Sequence, residues 1–204
     1  MQLFYLQNLS HLHPFLMQNP GSTRRVKKMI EHSYITDKVK VRGSGIDNQG
    51  VFAVKPLKKG EISSVWGGFI ITQKDFNRLE KTCFKSIENY ATKVADGFYL
   101  VSSKKGGLED DDFFNHSCEP NAGINGHLLM VAMRDIACGD EVTYDYCMTD
   151  ADFDYSFKCR CGTNSCRNKI TTKDWMNPLL QKKYKGYFSW YVQDKINKRK
   201  LKQR

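Results

Sequence analysis

Two stretches decide how this chain reads: Phe113-Phe114-Asn115-His116-Ser117-Cys118-Glu119-Pro120-Asn121, and then Arg134-Asp135-Ile136-Ala137-Cys138-Gly139-Asp140-Glu141-Val142-Thr143-Tyr144-Asp145-Tyr146. The first sets an imidazole, a thiol and two side-chain amides around a proline, a polar run that a plain core element would not need. Asn121, after Pro120, suits a turn fixed by its own side chain. The second passes a Gly139-Asp140 turn and then alternates, so Glu141 to Tyr146 is expected as a strand. Taken singly, a histidine is more often a structural hydrogen-bonder than a ligand, and two alternating tyrosines are an ordinary strand pattern.

A third cluster follows closely. Cys159-Arg160-Cys161-Gly162-Thr163-Asn164-Ser165-Cys166 is a C-x-C-x4-C run. Seven cysteines stand at 83, 118, 138, 147, 159, 161 and 166. The odd count, with three packed so tightly, argues against a disulfide framework and for a reducing, intracellular setting. Clustered thiolates there point to zinc, which takes sulfur ligands in a tetrahedron. Three ligands leave a structural site open, and Cys118, in its polar segment, is the best candidate for the fourth. Cys83, Cys138 and Cys147 have more core-like or loop surroundings.

Together the three motifs resemble the SET-domain family of protein lysine methyltransferases: N-H-S-C-x-P-N, then R-D-I-x-x-G-(D/E)-E-(L/V)-T-(F/Y)-D-Y, then a post-SET cysteine segment. The match runs from about Tyr34 to Lys169. The resemblance implies a mostly β fold of small curved sheets, with the N-H-S-C segment passing under the second motif in a knot-like crossing and short helices at both ends. It implies S-adenosylmethionine as methyl donor, contacted by Asn48, Gly50, Phe52, Asn115, His116 and Tyr146. It implies Tyr146 as the catalytic tyrosine and Tyr144 as a channel residue. It also implies a structural zinc on Cys118, Cys159, Cys161 and Cys166, and a protein substrate carrying the target lysine, with a histone or nucleosome as the family-level analogue.

Three departures from the family pattern bear on the donor site. The usual G-x-G turn is Asn48-Gln49-Gly50 here; asparagine tolerates a left-handed backbone better than most residues, so the turn can survive. Val65-Trp66-Gly67-Gly68 replaces E-Y-x-G. Asp112 stands where an arginine usually precedes the aromatic residue. A different class of reading therefore stays open: a catalytically dead SET core serving as a zinc-stapled basic binding module.

The remaining sequence organises around these motifs. Residues 1–33 form an N-terminal appendage, 34–147 the SET domain, 148–170 the post-SET zinc segment and 171–204 a C-terminal helical basic tail. Leu3, Leu6, Leu9, Leu12 and Phe15 allow a short amphipathic helix, broken by Asn19-Pro20-Gly21-Ser22. Nothing before Met29 carries recognisable chemistry, so Met29 is an alternative start. The opening residues make a poor signal peptide, and no later run approaches membrane-spanning length.

Short strands are expected at Val39–Arg42, Gly50–Val54, Glu61–Trp66, Phe69–Thr72, Phe98–Val101 and Leu128–Ala132, with one helix from Thr72 or Gln73 towards Cys83. Asn177-Pro178 should cap and start a helix that Gly186 stops, and Ser189 should cap another presenting Tyr191, Val192 and Ile196. The net charge is +10. Lys195, Lys198, Arg199, Lys200, Lys202 and Arg204 gather at the end, which suits non-specific contact with nucleic acid as well as a merely solvated face. Acid collects at Glu109 to Asp112 and at Asp150, Asp152 and Asp154, where it would favour a lysine flanked by other basic residues.

Overall fold

Short strands joined by glycine turns cannot build one broad sheet, and this chain builds several small antiparallel ones. The computed structural model describes residues 32–82, 91–101 and 108–202. Its strands are β1 (Tyr34–Ile35), β2 (Val39–Gly43), β3 (Gln49–Ala53), β4 (Ile62–Val65), β5 (Phe69–Thr72), β6 (Thr92–Ala95), β7 (Phe98–Val101), β8 (Ala122–Asn125), β9 (Leu129–Ala132), β10 (Glu141–Val142), β11 (Ser156–Lys158) and β12 (Lys169–Thr171). The helices are α1 (Gln73–Thr82), α2 (Pro178–Lys183) and α3 (Trp190–Lys202). The sheet orders are β1-β4-β9-β8, β10-β3-β2, β5-β7-β6 and β11-β12. The fold is mostly β, as the resemblance implies.

Alternation explains the faces. On β3, Val51 and Ala53 are fully buried, while Phe52 points the other way and is only partly covered. They meet Ile124, Met130, Ala132, Ile136, Val142 and Met148 in the main core. A smaller core beside β5–β7 holds Phe76 of α1 stacked on Tyr99 at 4.3 Å between centroids. Helix α1 starts where Thr72 Oγ1 accepts the Asp75 N–H.

The segment expected as a strand from Glu141 to Tyr146 pairs as one only through Val142. Beyond that point it leaves the sheet for the first motif. Asn121 Nδ2 donates to Glu141 O at 2.8 Å, and Asn121 Oδ1 accepts the Thr143 N–H at 2.9 Å. The side chain expected to fix a local turn thus joins the two motifs instead. Tyr144 then runs parallel to residues 115–117: Tyr144 N donates to Asn115 O at 3.2 Å, and Ser117 N to Tyr144 O at 3.0 Å. Asp145 accepts the Cys147 N–H and so opens a single 3-10 turn, Tyr146–Met148.

The C-terminal segment is half core. Asn177 Oδ1 accepts the Leu179 N–H with Pro178 at the first helical position, as expected, and Gly186 ends the unit at φ +88°. Ser189 Oγ accepts the Val192 N–H at 3.3 Å. Tyr184, Tyr191, Val192 and Ile196 are buried, each contributing roughly 1.5–3 kcal/mol of apolar burial. Beyond Ile196 the helix is exposed through Lys202. Strand β8 was hidden from the sequence reading by Gly123 and Asn125. A Cβ at Gly123 would lie 2.8 Å from Tyr187 Cβ, so the close approach of the C-terminal segment requires glycine there. The helix suggested for Leu3 to Phe15, and Cys83, lie outside the described residues. No helix among the described residues is long and apolar enough to cross a membrane.

Candidate active site and metal centre

A cavity of about 780 Å3 opens between the two motifs and the segment after them. Its walls are the 46–49 loop, Trp66-Gly67, residues 111–116, Tyr144 and Tyr146, Asp150, and residues 155–160. Asn48, Asn115, His116, Tyr144 and Tyr146 all line it. Gly50 and Phe52 do not line it; they lie on β3 behind the loop.

Asn48 has φ +34°, the left-handed backbone that its type tolerates, so the turn survives without its usual first glycine. Gly50 is needed for space. A Cβ there would fall 2.1 Å from Glu141 Oε1 and 2.9 Å from Asn115 Nδ2. Into that room Asn115 reaches, donating from Nδ2 to Gln49 O at 2.8 Å and to Glu141 Oε1 at 2.7 Å. Its amide nitrogen thus holds the 44–49 loop in shape.

His116 is buried at 3% exposure, and burial pushes its ring down to about 4 despite the attraction of Asp145. The ring is neutral at physiological pH. Nδ1 accepts the Tyr146 N–H at 3.3 Å, which leaves the proton on Nε2, 3.5 Å from Cys118 Sγ. The imidazole ties the Tyr146 turn to the cysteine cluster.

The tyrosines form an aromatic end. Tyr144 and Tyr146 lie 5.0 Å apart by centroid; Trp66 stands edge-on to Tyr144 at 5.9 Å, and Phe157 lies 5.9 Å from Tyr146. Tyr146 Oη donates to Phe114 O at 3.2 Å. Burial holds both hydroxyls well above the ordinary tyrosine value, so they stay protonated donors.

The carboxyls of Asp47, Asp111, Asp112 and Asp150 all line this cavity. Burial pushes Asp111 up to about 7 against the hydrogen bond from Ser33, with Asp112 and Glu109 adding to the rise. Burial raises Asp150 to about 6 against the Tyr155 and Thr149 hydroxyls. The sequence had marked Asp111 and Asp150 only as parts of acidic loops.

Cys118, Cys159, Cys161 and Cys166 bring their sulfurs within 4.8 Å of one another, and Cys118 and Cys159 stand 3.9 Å apart. A tetrahedron with Zn–S bonds of about 2.3 Å has sulfurs about 3.8 Å apart, so the cluster fits zinc. Backbone N–H groups of Arg167, Cys161 and Asn168 point at Cys118, Cys159 and Cys166 sulfurs, at 3.3, 3.5 and 3.4 Å. Such donors favour the thiolate form that a metal needs. The sequence reading missed Arg167, which follows the last cysteine and binds buried Asp145.

The SET domain family matches residues 48–147. Among curated relatives, the chain is 30% identical over 131 residues to the histone-lysine N-methyltransferase ash1 of Drosophila melanogaster, covering 61% of this chain and 6% of that protein. It is 32% identical over 137 residues to human histone-lysine N-methyltransferase 2B, covering 63% and 5%. It is 30% identical over 134 residues to the H3 lysine-4 specific histone-lysine N-methyltransferase of Saccharomyces cerevisiae, covering 61% and 12%. The chain thus spans only a small part of the length of these relatives.

Proposed function

Residues 48–147 are a SET domain, and from that premise we propose that this chain uses S-adenosylmethionine to methylate a lysine side chain of a protein, mainly to the mono-methyl state. The observation that carries the reading is one cavity joining the 46–49 loop, Asn115 and His116 to the Tyr144–Tyr146 pair. Its volume suits a cofactor-sized ligand. Bound there, S-adenosylmethionine supplies an electrophilic methyl on a sulfonium.

The chain's own work is positioning. A lysine with a free pKa near 10.4 costs roughly 4 kcal/mol to deprotonate at neutral pH, so its surroundings must favour the neutral amine. The ring walls of Tyr144, Tyr146, Trp66 and Phe157 exclude water and disfavour the ammonium. The Tyr146 hydroxyl, kept protonated by burial, orients the amine without adding charge. Asn115 and His116 shape the donor side, and the four cysteines would hold a zinc that fixes the segment from which Cys159 and Arg160 line the cavity.

The names of the relatives favour a histone or nucleosomal protein as substrate and a nuclear, intracellular setting. The exposed end of α3, with Lys198, Arg199, Lys200 and Lys202, suits polyanion contact there.

The test is transfer of labelled methyl groups onto proteins of a cell lysate, with mass spectrometry locating the modified lysines. Calorimetry with S-adenosylmethionine separates the alternative: folded, zinc-loaded protein that binds no donor and transfers no methyl would be a zinc-stapled binding module instead.

A further inference from the structure

We propose that Asp150 is the counter-charge that captures the ammonium of the target lysine at the aromatic end of the cavity. The inference rests on the methyltransferase reading and adds a recognition residue to it.

Three acids stand close together at the end of the second motif and in the turn after it, and their partners differ. Asp145 is held by Arg167. Asp152 is held by Lys93 and Lys195, and despite burial these and Tyr191 pull its carboxyl down to about 2. Among the described residues Asp150 has only neutral donors: Thr149 Oγ1 gives to Oδ1 at 2.9 Å, and Tyr155 Oη gives to Oδ2. Among the described residues no lysine, arginine or histidine forms an ion pair with it. Lys158 and Arg160 share the cavity but do not reach it.

Asp150 is half-buried, and a carboxylate withdrawn from water tends to be paired with a cation or to lose its charge. Asp150 is built to keep its charge and its place. Two hydroxyls fix its oxygens, and its own N–H is tied to Tyr146 O at 2.9 Å. A carboxylate accepts about four hydrogen bonds, so the two hydroxyls leave capacity for a third donor. It lines the cavity with the tyrosines that are to hold the amine. With burial raising it only to about 6, it is mostly ionised at neutral pH. A lysine side chain entering this end supplies the cation that none of the described residues provides.

The consequence is specific. An ion pair holds the proton on the amine and so favours capture of the substrate, not the attack itself. Its effect belongs in KM more than in kcat. It also makes the site prefer a charged side chain over an apolar one of similar length, before any chemistry occurs.

The experiment uses the full zinc-loaded chain and two short peptides made around a lysine that the wild type methylates in the lysate assay. One peptide keeps the lysine and the other carries norleucine there. Without donor, the wild type should bind the lysine peptide about tenfold more tightly or better, the worth of one charge-assisted hydrogen bond. Asp150→Asn, which still accepts a hydroxyl proton, should bring the two affinities within about threefold and raise the peptide KM. Equal affinity of the wild type for both peptides overturns the proposal without any variant. So does an Asp150→Asn protein that keeps the full preference. A wild type that methylates no lysine at all removes the underlying reading, and the proposal with it, before the peptides are made.

Discussion

Arg167 and Asp145 form a bidentate ion pair, Nη1 to Oδ2 at 2.6 Å and Nη2 to Oδ1 at 2.9 Å, that fastens the segment after the last cysteine to the second motif. Asp145 is fully buried, and Arg167 also approaches Asp174 at 3.1 Å. Burial opposes ionisation of Asp145, but the hydrogen bonds and charge of Arg167 outweigh it and hold the carboxyl below its usual range. Arg167→Met leaves that carboxylate unpaired and should destabilise the fold by about 3–5 kcal/mol in urea denaturation. The sign of the pH effect follows from the depressed value. The stabilisation is fully present above the unfolded carboxyl pKa of about 3.9 and is lost as pH falls through the folded one. Wild type should lose this increment only as pH falls below the unfolded carboxyl value of about 3.9, and Arg167→Met should show a flatter acid limb. Equal stability of the two proteins at neutral pH would remove the clamp role.

The zinc assignment has a stoichiometric test. Metal analysis should give about one zinc per chain. Cys161→Ser should lose most of it, and a chelator should loosen residues 157–171 first, read by proteolysis. Because Arg167 N–H points at Cys118 Sγ, chelation should also weaken the Asp145 ion pair, and the thermal midpoint should fall. Full zinc retention by Cys118→Ser would mean that the fourth ligand is another residue.

What the sequence disclosed and what it hid divide along a physical line. Local signals were legible: the Asn177-Pro178 cap, the Thr72 start of α1 and the apolar run Gly50–Val54 each act within a few residues. Cys159, Cys161 and Cys166 were legible because thiolates have few other uses at that spacing, while Cys118 as their fourth partner was what the family resemblance implied. Pairings across long separations were not. Nothing local says that Asn121 takes both a donor and an acceptor beyond Glu141, and that contact, with Asn115 and Ser117, draws Tyr144 out of its strand. Composition could not distinguish Asp150 from Asp152 either, because the cations that separate them come from β6 and α3. Phe52 looked like a donor contact, but the β3 pleat turns it away from the cavity.

Truncation should separate the two halves of α3. Removing residues 193–204 takes away Ile196, which is 1% exposed, and should cost about 2–5 kcal/mol, as emptying a core site does. Removing only 198–204 leaves the core intact and deletes Lys198, Arg199, Lys200, Lys202 and Arg204. That shorter cut should preserve the melting temperature and methyl transfer to a short peptide. It should weaken DNA or nucleosome binding and flatten its dependence on salt. Unchanged affinity with the same salt slope would make the basic end a solvated face only.

Tyr146→Phe removes the hydroxyl that donates to Phe114 O. One such hydrogen bond is worth about 0.5–1.5 kcal/mol, so the fold should survive. Turnover should nevertheless fall by orders of magnitude, because the amine loses the group that orients it. Near-normal transfer at saturating donor would displace Tyr146 from the role proposed for it.

Tyr144 should set how many methyls are added. Its ring lies between Trp66, edge-on at 5.9 Å, and Tyr146 at 5.0 Å, so the end of the aromatic chamber is walled on both sides. Burial keeps its hydroxyl protonated. That hydroxyl can hold the amine directly or through a water, and the water fills the room a methyl would need. After one transfer the methylated amine must rotate to aim its lone pair at the next donor, breaking that hydrogen bond. The loss, about 0.5–1.5 kcal/mol, biases products by up to about tenfold. Wild type should make mainly mono-methyl-lysine. Tyr144→Phe should keep the ring and its packing, release the water and shift products to higher states. Intact-mass analysis of a peptide substrate over a long time course reads this directly. A wild type that accumulates mostly tri-methyl-lysine would refute the role given to Tyr144 while leaving the methyltransferase reading in place.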